Sequence, residues 1–161
     1  MRGVAIAAVV LLAAPAAEAK LRFEREDGTR LPAGAPKVWC GGWDQEVATP
    51  TLHVGTRSWH LGAVRRDLLN GRAFTFPHSF VFDEPSNAEL FIGDRATGNE
   101  LSTEGEDSSG RVFFRRISCR PGHVVEFSID AVVDSEFGDG DTMSVTGVFR
   151  GRVGTATGPI P

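Results

Sequence analysis

Several sequence features that would point to a known activity are missing from this 161-residue chain. It has no tyrosine, whereas outer-membrane barrels carry aromatic girdles at both interfaces, so a membrane barrel is not expected. It has neither a C-x-x-C pair for redox chemistry nor a G-x-S-x-G sequence for a hydrolase nucleophile. Acidic residues outnumber basic ones by 21 to 17 and no run rich in Lys and Arg occurs, which argues against nucleic-acid binding.

The first nineteen residues have the three parts of a secretory signal peptide. Arg2 is the charged start, an apolar run extends from Gly3 to Ala14, and Ala17-Glu18-Ala19 is a small-x-small cleavage site. The apolar run is shorter than the ~20 residues of a membrane span, so a retained anchor is not expected. We therefore predict that residues 1–19 are removed and that 20–161 form one domain, secreted or periplasmic and not membrane-embedded.

The chain contains two cysteines, Cys40 and Cys119. They are too far apart in sequence for a zinc knuckle, and an even number of cysteines in an exported protein favours a disulfide. Such a bond would close a loop of about 80 residues. The loss of conformational entropy in the unfolded chain would then stabilise the fold by roughly 4.5 kcal/mol. We predict a Cys40–Cys119 disulfide near or across the core, with Cα atoms roughly 4.4–6.8 Å apart.

Apolar and polar residues alternate with a period of two in much of the chain. This period indicates strands, because successive side chains of a strand point to opposite faces. The clearest alternating segments are Ala73–Asp83, Val125–Val133 and Met143–Val153. Pro77 lacks a backbone N–H, so the first of these strands should lie at a sheet edge or carry a bulge.

Shorter segments complete the predicted fold. Further strands are predicted at Leu21–Arg25, Val38–Cys40, Thr51–Gly55, Ser58–Val64, Leu90–Gly93 and Val112–Cys119. In the last of these, Phe113, Ile117 and Cys119 should share the core face. The one plausible helix is about Val64–Asn70, ended by a left-handed Gly71. Together these segments predict an all-β fold, a single antiparallel β-sandwich of about 8–9 short strands closed by one disulfide.

An acidic hairpin between the last two predicted strands is a candidate calcium site. Asp134, Glu136, Asp139 and Asp141 offer the oxygen ligands that Ca²⁺ prefers, although their spacing is not that of an EF-hand. Asp and Gly are also common turn residues, so a solvated acidic turn is the alternative. Bound calcium would raise the thermal midpoint, whereas a solvated turn would leave it unchanged, and we expect the unchanged midpoint.

Two histidines, His53 and His60, flank a short predicted turn at Thr56-Arg57. A two-residue turn sets these histidines directly opposite each other, about 5 Å apart at Cβ. The same register pairs the apolar residues Leu52 with Leu61 and Val54 with Trp59. Cross-strand imidazoles can share a zinc or copper ion, but two ligands do not make a complete site. Surface histidines without a metal are the alternative.

The three tryptophans differ in their expected surroundings. Trp39 adjoins Cys40 and is expected to pack on the disulfide, while Trp59 lies on the predicted core face. Trp43 lies in a glycine-rich loop and is the best candidate for an exposed aromatic residue that binds a ligand.

No predicted catalytic group emerges from these residues. His78 and Ser79 are neighbours on a predicted strand and point to opposite faces, so they cannot form a nucleophile–base pair. We predict an exported, soluble β-sandwich, a non-catalytic binding or structural module of the envelope or medium whose partner is an unidentified protein or carbohydrate. No cofactor is expected, and calcium at the acidic hairpin is the only candidate. The alternative is a secreted hydrolase with a site assembled from residues distant in sequence.

Overall fold

A computed structural model describes the fold. The described residues are 18–41, 51–64, 69–77, 87–94, 99–135 and 141–154. Eleven strands lie within these ranges: β1 (Glu18–Arg25), β2 (Arg30–Leu31), β3 (Lys37–Gly41), β4 (Thr51–Gly55), β5 (Trp59–Val64), β6 (Arg72–Phe76), β7 (Asn87–Asp94), β8 (Asn99–Ser102), β9 (Ser109–Arg116), β10 (Val124–Ser135) and β11 (Thr142–Arg152). In the described part of the chain, no helix is long and apolar enough to cross a membrane.

The eleven strands form one antiparallel hydrogen-bonded sheet with the order β2-β1-β11-β10-β8-β7-β5-β4-β3. A branch leaves this order at β10, which pairs with β9 along most of its length and with β8 at Asp134 and Ser135. β6 extends the branch beyond β9. The sheet curls back on itself, because Gly154 after β11 donates a hydrogen bond to the Val38 carbonyl of β3 at 2.8 Å. The all-β prediction is confirmed, with more strands than expected in a single curled sheet.

The core lies between the two curled halves of the sheet. Phe23 of β1 packs against Trp59 of β5 with ring centroids 5.4 Å apart, which joins one half to the other. On β9, β10 and β11, the rings of Phe114, Phe127 and Phe149 follow one another with centroid distances of 6.1 and 5.1 Å. These aromatic contacts remove large apolar surfaces from water, the first between the two halves and the others between neighbouring strands of one half.

The strands β10 and β11 follow the predicted alternation. Val125, Phe127, Ile129, Ala131 and Val133 are all buried, and so are Met143, Val145, Phe149 and Val153. Gly147 interrupts the apolar row of β11, at the position that is paired with Leu21 of β1. A Cβ at Gly147 would lie 2.0 Å from the Lys20 carbonyl oxygen, so no larger residue lets β1 pair so closely.

The predicted face of Val112–Cys119 is wrong for its first half. Phe113 is 40% exposed, while its neighbours Val112 and Phe114 are completely buried. The reason is a bulge: β9 contributes one extra residue, Arg115, where its register with β10 shifts. An extra residue reverses the faces on either side of it. Phe114 is therefore paired with Phe127 and lies on the core face that was predicted for Phe113.

Two other predicted elements are only partly described. β6 ends at Phe76, before a cis peptide bond to Pro77, and pairs with β9 alone among the described strands, as an edge strand would. The rest of the predicted strand, with His78 and Ser79, lies outside the described residues. The predicted helix also lies mostly outside them, although Gly71 after it has the expected left-handed φ of 74°.

The predicted disulfide is confirmed. Cys40 of β3 is bonded to Cys119, which lies in the connection between β9 and β10, and their Cα atoms are 5.6 Å apart. The bond therefore ties the end of the sheet at β3 to the opposite half of the molecule.

Candidate functional site

Strands β3, β4 and β5 bring three ring side chains together on the face of the sheet that points away from the core. Trp39 is paired with His53 across β3 and β4, and His53 is paired with Gly62 across β4 and β5. His60 is paired with Gly55. Directly paired residues share a face, so the two glycines leave space in which the histidine rings can meet diagonally.

The three rings are in mutual contact. His53 Nδ1 lies 2.9 Å from His60 Nε2, a hydrogen-bond distance, and the two ring planes are within 19° of each other. The Trp39 ring is nearly parallel to both, at 12° to His53 and 24° to His60, with centroids 5.1 and 5.6 Å away. One imidazole N–H must therefore donate a hydrogen bond to the ring nitrogen lone pair of the other, while Trp39 packs against both.

The predicted register of this hairpin is wrong by two residues. His53 and His60 are diagonal neighbours, not directly opposite, because Gly55 is paired with His60 and not with Ser58. The apolar residues pair as Leu52–Ala63 and Val54–Leu61. Since a shift of two residues preserves the faces, the histidines still meet, as predicted.

A backbone hydrogen bond explains the displaced turn. The Thr56 amide donates a hydrogen bond to the Trp59 carbonyl at 2.9 Å, so the turn lies at Arg57-Ser58, one residue further along than the predicted Thr56-Arg57. Gly55 permits this closure, because a Cβ at Gly55 would lie 2.4 Å from the Trp59 carbonyl oxygen.

Burial controls the electrostatics of the histidine pair. His53 is only 6% exposed and His60 is half-buried. Burial lowers the pKa of His60 to about 4, and the nearby charge of His53 adds to the effect. Burial also lowers the pKa of His53, although a hydrogen bond with the Gly41 backbone acts in the opposite direction. Both rings are therefore neutral at pH 7, and the pair can be charged only at acid pH.

Two further buried polar residues share the face with this cluster. Thr51 precedes His53 by two residues on β4, and Glu89 of β7 is paired with Gly62 of β5. Both side chains are buried, although they lie on the outer side of the sheet. This part of the outer face is therefore a buried polar layer instead of a solvated surface.

The tryptophan predictions have different outcomes. Trp59 is buried as predicted, and its indole N–H donates to the Ala33 carbonyl at 2.8 Å. The expectation that Trp39 packs on the disulfide is wrong, because adjacent residues of a strand face opposite sides and Trp39 stacks on the histidines. Trp43, the predicted exposed aromatic residue, lies outside the described residues.

The acidic hairpin is described only at its two ends. The Asp134 carboxylate accepts hydrogen bonds from the amides of Ser135 at 2.7 Å and Asp107 at 3.4 Å. Asp141 forms an ion pair with Arg25 of β1. Glu136 and Asp139 lie outside the described residues, so calcium binding by this set stays a prediction. Within the described ranges, no three His, Cys, Asp or Glu side chains are grouped as a metal site would need.

Comparisons of the chain with protein-family models, curated proteins and solved structures gave no match.

Proposed function

We propose that this protein is exported and works in the cell envelope or the medium as a non-catalytic binding or structural module. The observation that carries this proposal is the Cys40–Cys119 disulfide. Disulfides form and persist in oxidising compartments and are rare in the cytosol. Both cysteines of the chain are used in this one bond, as expected for a structural disulfide.

The pairing of β1 is compatible with cleavage of the predicted signal peptide after Ala19. Glu18 and Ala19 pair with Arg150 and Phe149 at the start of β1, so cleavage would remove two of its eight pairs and leave six. The remaining pairs include Phe23, whose ring packs in the core. Removal of residues 1–19 would therefore shorten β1 without disturbing its attachment to β11.

The Trp39–His53–His60 cluster supports the binding half of the proposal. Tryptophan contributes more to binding than most side chains, because it combines a large apolar surface with a polar N–H. Trp39 is half-buried on the outer side of the sheet, where it is not needed to fill the core. We propose the surface around Trp39 as the contact site for a protein or carbohydrate.

Export can be tested by expressing the full-length gene in a host with a secretory pathway. We expect the protein in the periplasm or medium, with the mass of residues 20–161 less two hydrogens for the disulfide. A matched variant lacking residues 2–19 should remain inside the cell with free thiols. A full-length, reduced protein in the cytosol of the first strain would contradict the proposal.

Binding can be tested by using the mature protein as bait for an extract of the native envelope. We expect at least one component to be retained by the wild type and to be depleted about tenfold or more with Trp39→Ala, as for an aromatic hot spot. Phe113→Ala is the matched control, because it removes an exposed aromatic residue from β9. Circular dichroism checks that each variant is folded.

Two results would count against this assignment. Equal retention by wild type and Trp39→Ala would exclude the surface around Trp39. Turnover of ester, peptide or glycoside substrates by the mature protein would instead favour a secreted hydrolase.

A further inference from the structure

We propose that the histidine pair is an acid-responsive switch. At neutral pH the hydrogen bond between His53 and His60 holds the two rings together in their stack with Trp39, on the outer side of β3–β5. Protonation of both rings separates them and disrupts the stack. The bond joins Nδ1 of His53 to Nε2 of His60 at 2.9 Å. A neutral imidazole has one N–H donor and one lone pair, whereas an imidazolium has two donors and no acceptor. The contact therefore survives only while at least one of the two rings is neutral.

Protonation of both rings would turn this contact from attraction to repulsion. Two N–H groups would then face each other across 2.9 Å, with a positive charge on each ring. Because His53 is only 6% exposed, its charge is poorly screened by water unless the rings separate. Separation of the rings would also disrupt the stack with Trp39, which is in contact with both.

The Trp39 ring opposes the switch, but only in part. An aromatic face attracts a nearby cation, and more strongly when the cation is desolvated. One imidazolium beneath Trp39 is therefore tolerated and can still donate to its neutral neighbour. When the second histidine is also protonated, Trp39 attracts that charge too, but the hydrogen bond between His53 and His60 is lost.

Other charged groups on this face come from β3 and β7. Lys37 lies two residues before Trp39 and is paired with Gly55, so its positive charge adds to the cost of protonation. Glu89, paired with Gly62, acts in the opposite direction when it is ionised. On the described parts of β4 and β5, the histidines are the only titratable groups on this face.

The pH range of the switch follows from the direction of the pKa shifts. Burial lowers the pKa of both rings, that of His60 to about 4, whereas a histidine in the unfolded chain titrates near 6.5. Between these values the unfolded chain binds more protons than the folded one, so stability falls as the pH falls. The contribution of the pair is fully present above about pH 6.5 and is lost progressively toward pH 4.

The test is the stability of the purified, disulfide-bonded mature protein as a function of pH, by urea unfolding at several values from pH 7.5 to 4.5. We expect the unfolding equilibrium constant to rise about 30-fold between pH 7.5 and pH 5 from His60 alone. His60→Gln should lose this part of the rise, because glutamine does not titrate. His123→Gln is the matched control, since His123 is exposed, and should respond as the wild type does.

A second measurement keeps the test decisive if His60→Gln does not fold. NMR titration of the wild-type histidine rings should show both members of the pair with pKa values below about 6.5, the ordinary value for histidine, and the Trp39 signals should shift with them. The same pH dependence in His60→Gln and wild type would overturn the proposal, as would a pair that titrates at 6.5 without any change at Trp39. Since the protein is purified, neither result depends on whether it is exported, although the physiological use of the switch does.

Discussion

Reduction of the Cys40–Cys119 disulfide is expected to lower the free energy of unfolding by about 4.5 kcal/mol, the loop-closure value. The bonded residues are 79 positions apart, so the bond removes a large part of the conformational freedom of the unfolded chain. It also attaches β3 to the connection between β9 and β10. A backbone hydrogen bond from the Gly154 amide to the Val38 carbonyl also joins β3 to the opposite half of the sheet.

Urea unfolding at pH 7.5, with and without dithiothreitol, measures this effect. The double variant Cys40→Ser/Cys119→Ser is the control, because it removes the bond without a reductant and should unfold with the reduced protein. Coincident transitions for the oxidised and reduced forms would show that the disulfide does not contribute to stability. A loss that greatly exceeds the loop-closure value would show that reduction also disrupts packing at β3.

The second large effect is expected for Phe127→Ala, at about 3–5 kcal/mol. Phe127 is 2% exposed, and its ring lies between those of Phe114 and Phe149 on the neighbouring strands. Truncation removes buried apolar surface and leaves a cavity that the two flanking strands cannot close, because their backbones are held by hydrogen bonds.

Phe113→Ala is the matched control for this variant. It removes the same side chain from the same part of the sheet, but Phe113 is 40% exposed, so the expected loss is below about 1 kcal/mol. Equal losses in the two variants, measured by urea unfolding, would mean that Phe113 is buried. In that case Phe113 would lie on the core face, and β9 would have no bulge at Arg115.

The alternation of apolar and polar residues predicted most of the strands, because it is a property of consecutive residues within a single strand. Val125 to Val133 alternate with polar residues, and one side of β10 is buried as that pattern requires. The limits of Thr51–Gly55 were predicted to the residue, since turn residues flank this short apolar segment. The disulfide was also predictable, because the chain begins with a predicted signal peptide and its two cysteines allow a single intramolecular pairing.

Register was harder to predict, because it depends on contacts between strands. The turn between His53 and His60 lies one residue further along the chain than predicted, and the hydrogen bond from the Thr56 amide to the Trp59 carbonyl closes it. The bulge at Arg115 is a property of the pairing of β9 with β10, and no local pattern in β9 marks it. Its effect was to place Phe113 on the outer face.

The amino-acid sequence by itself therefore determined the all-β class, the faces of the long strands and the disulfide, since these follow from local alternation and from the number of cysteines. The tertiary structure alone decided which strands are neighbours and which side chains meet. The clearest case is Trp39, which was expected on the disulfide and instead covers the hydrogen-bonded pair of His53 and His60. That contact exists because β3 pairs with β4 and β4 with β5 in one particular register, and because two glycines leave room for the rings.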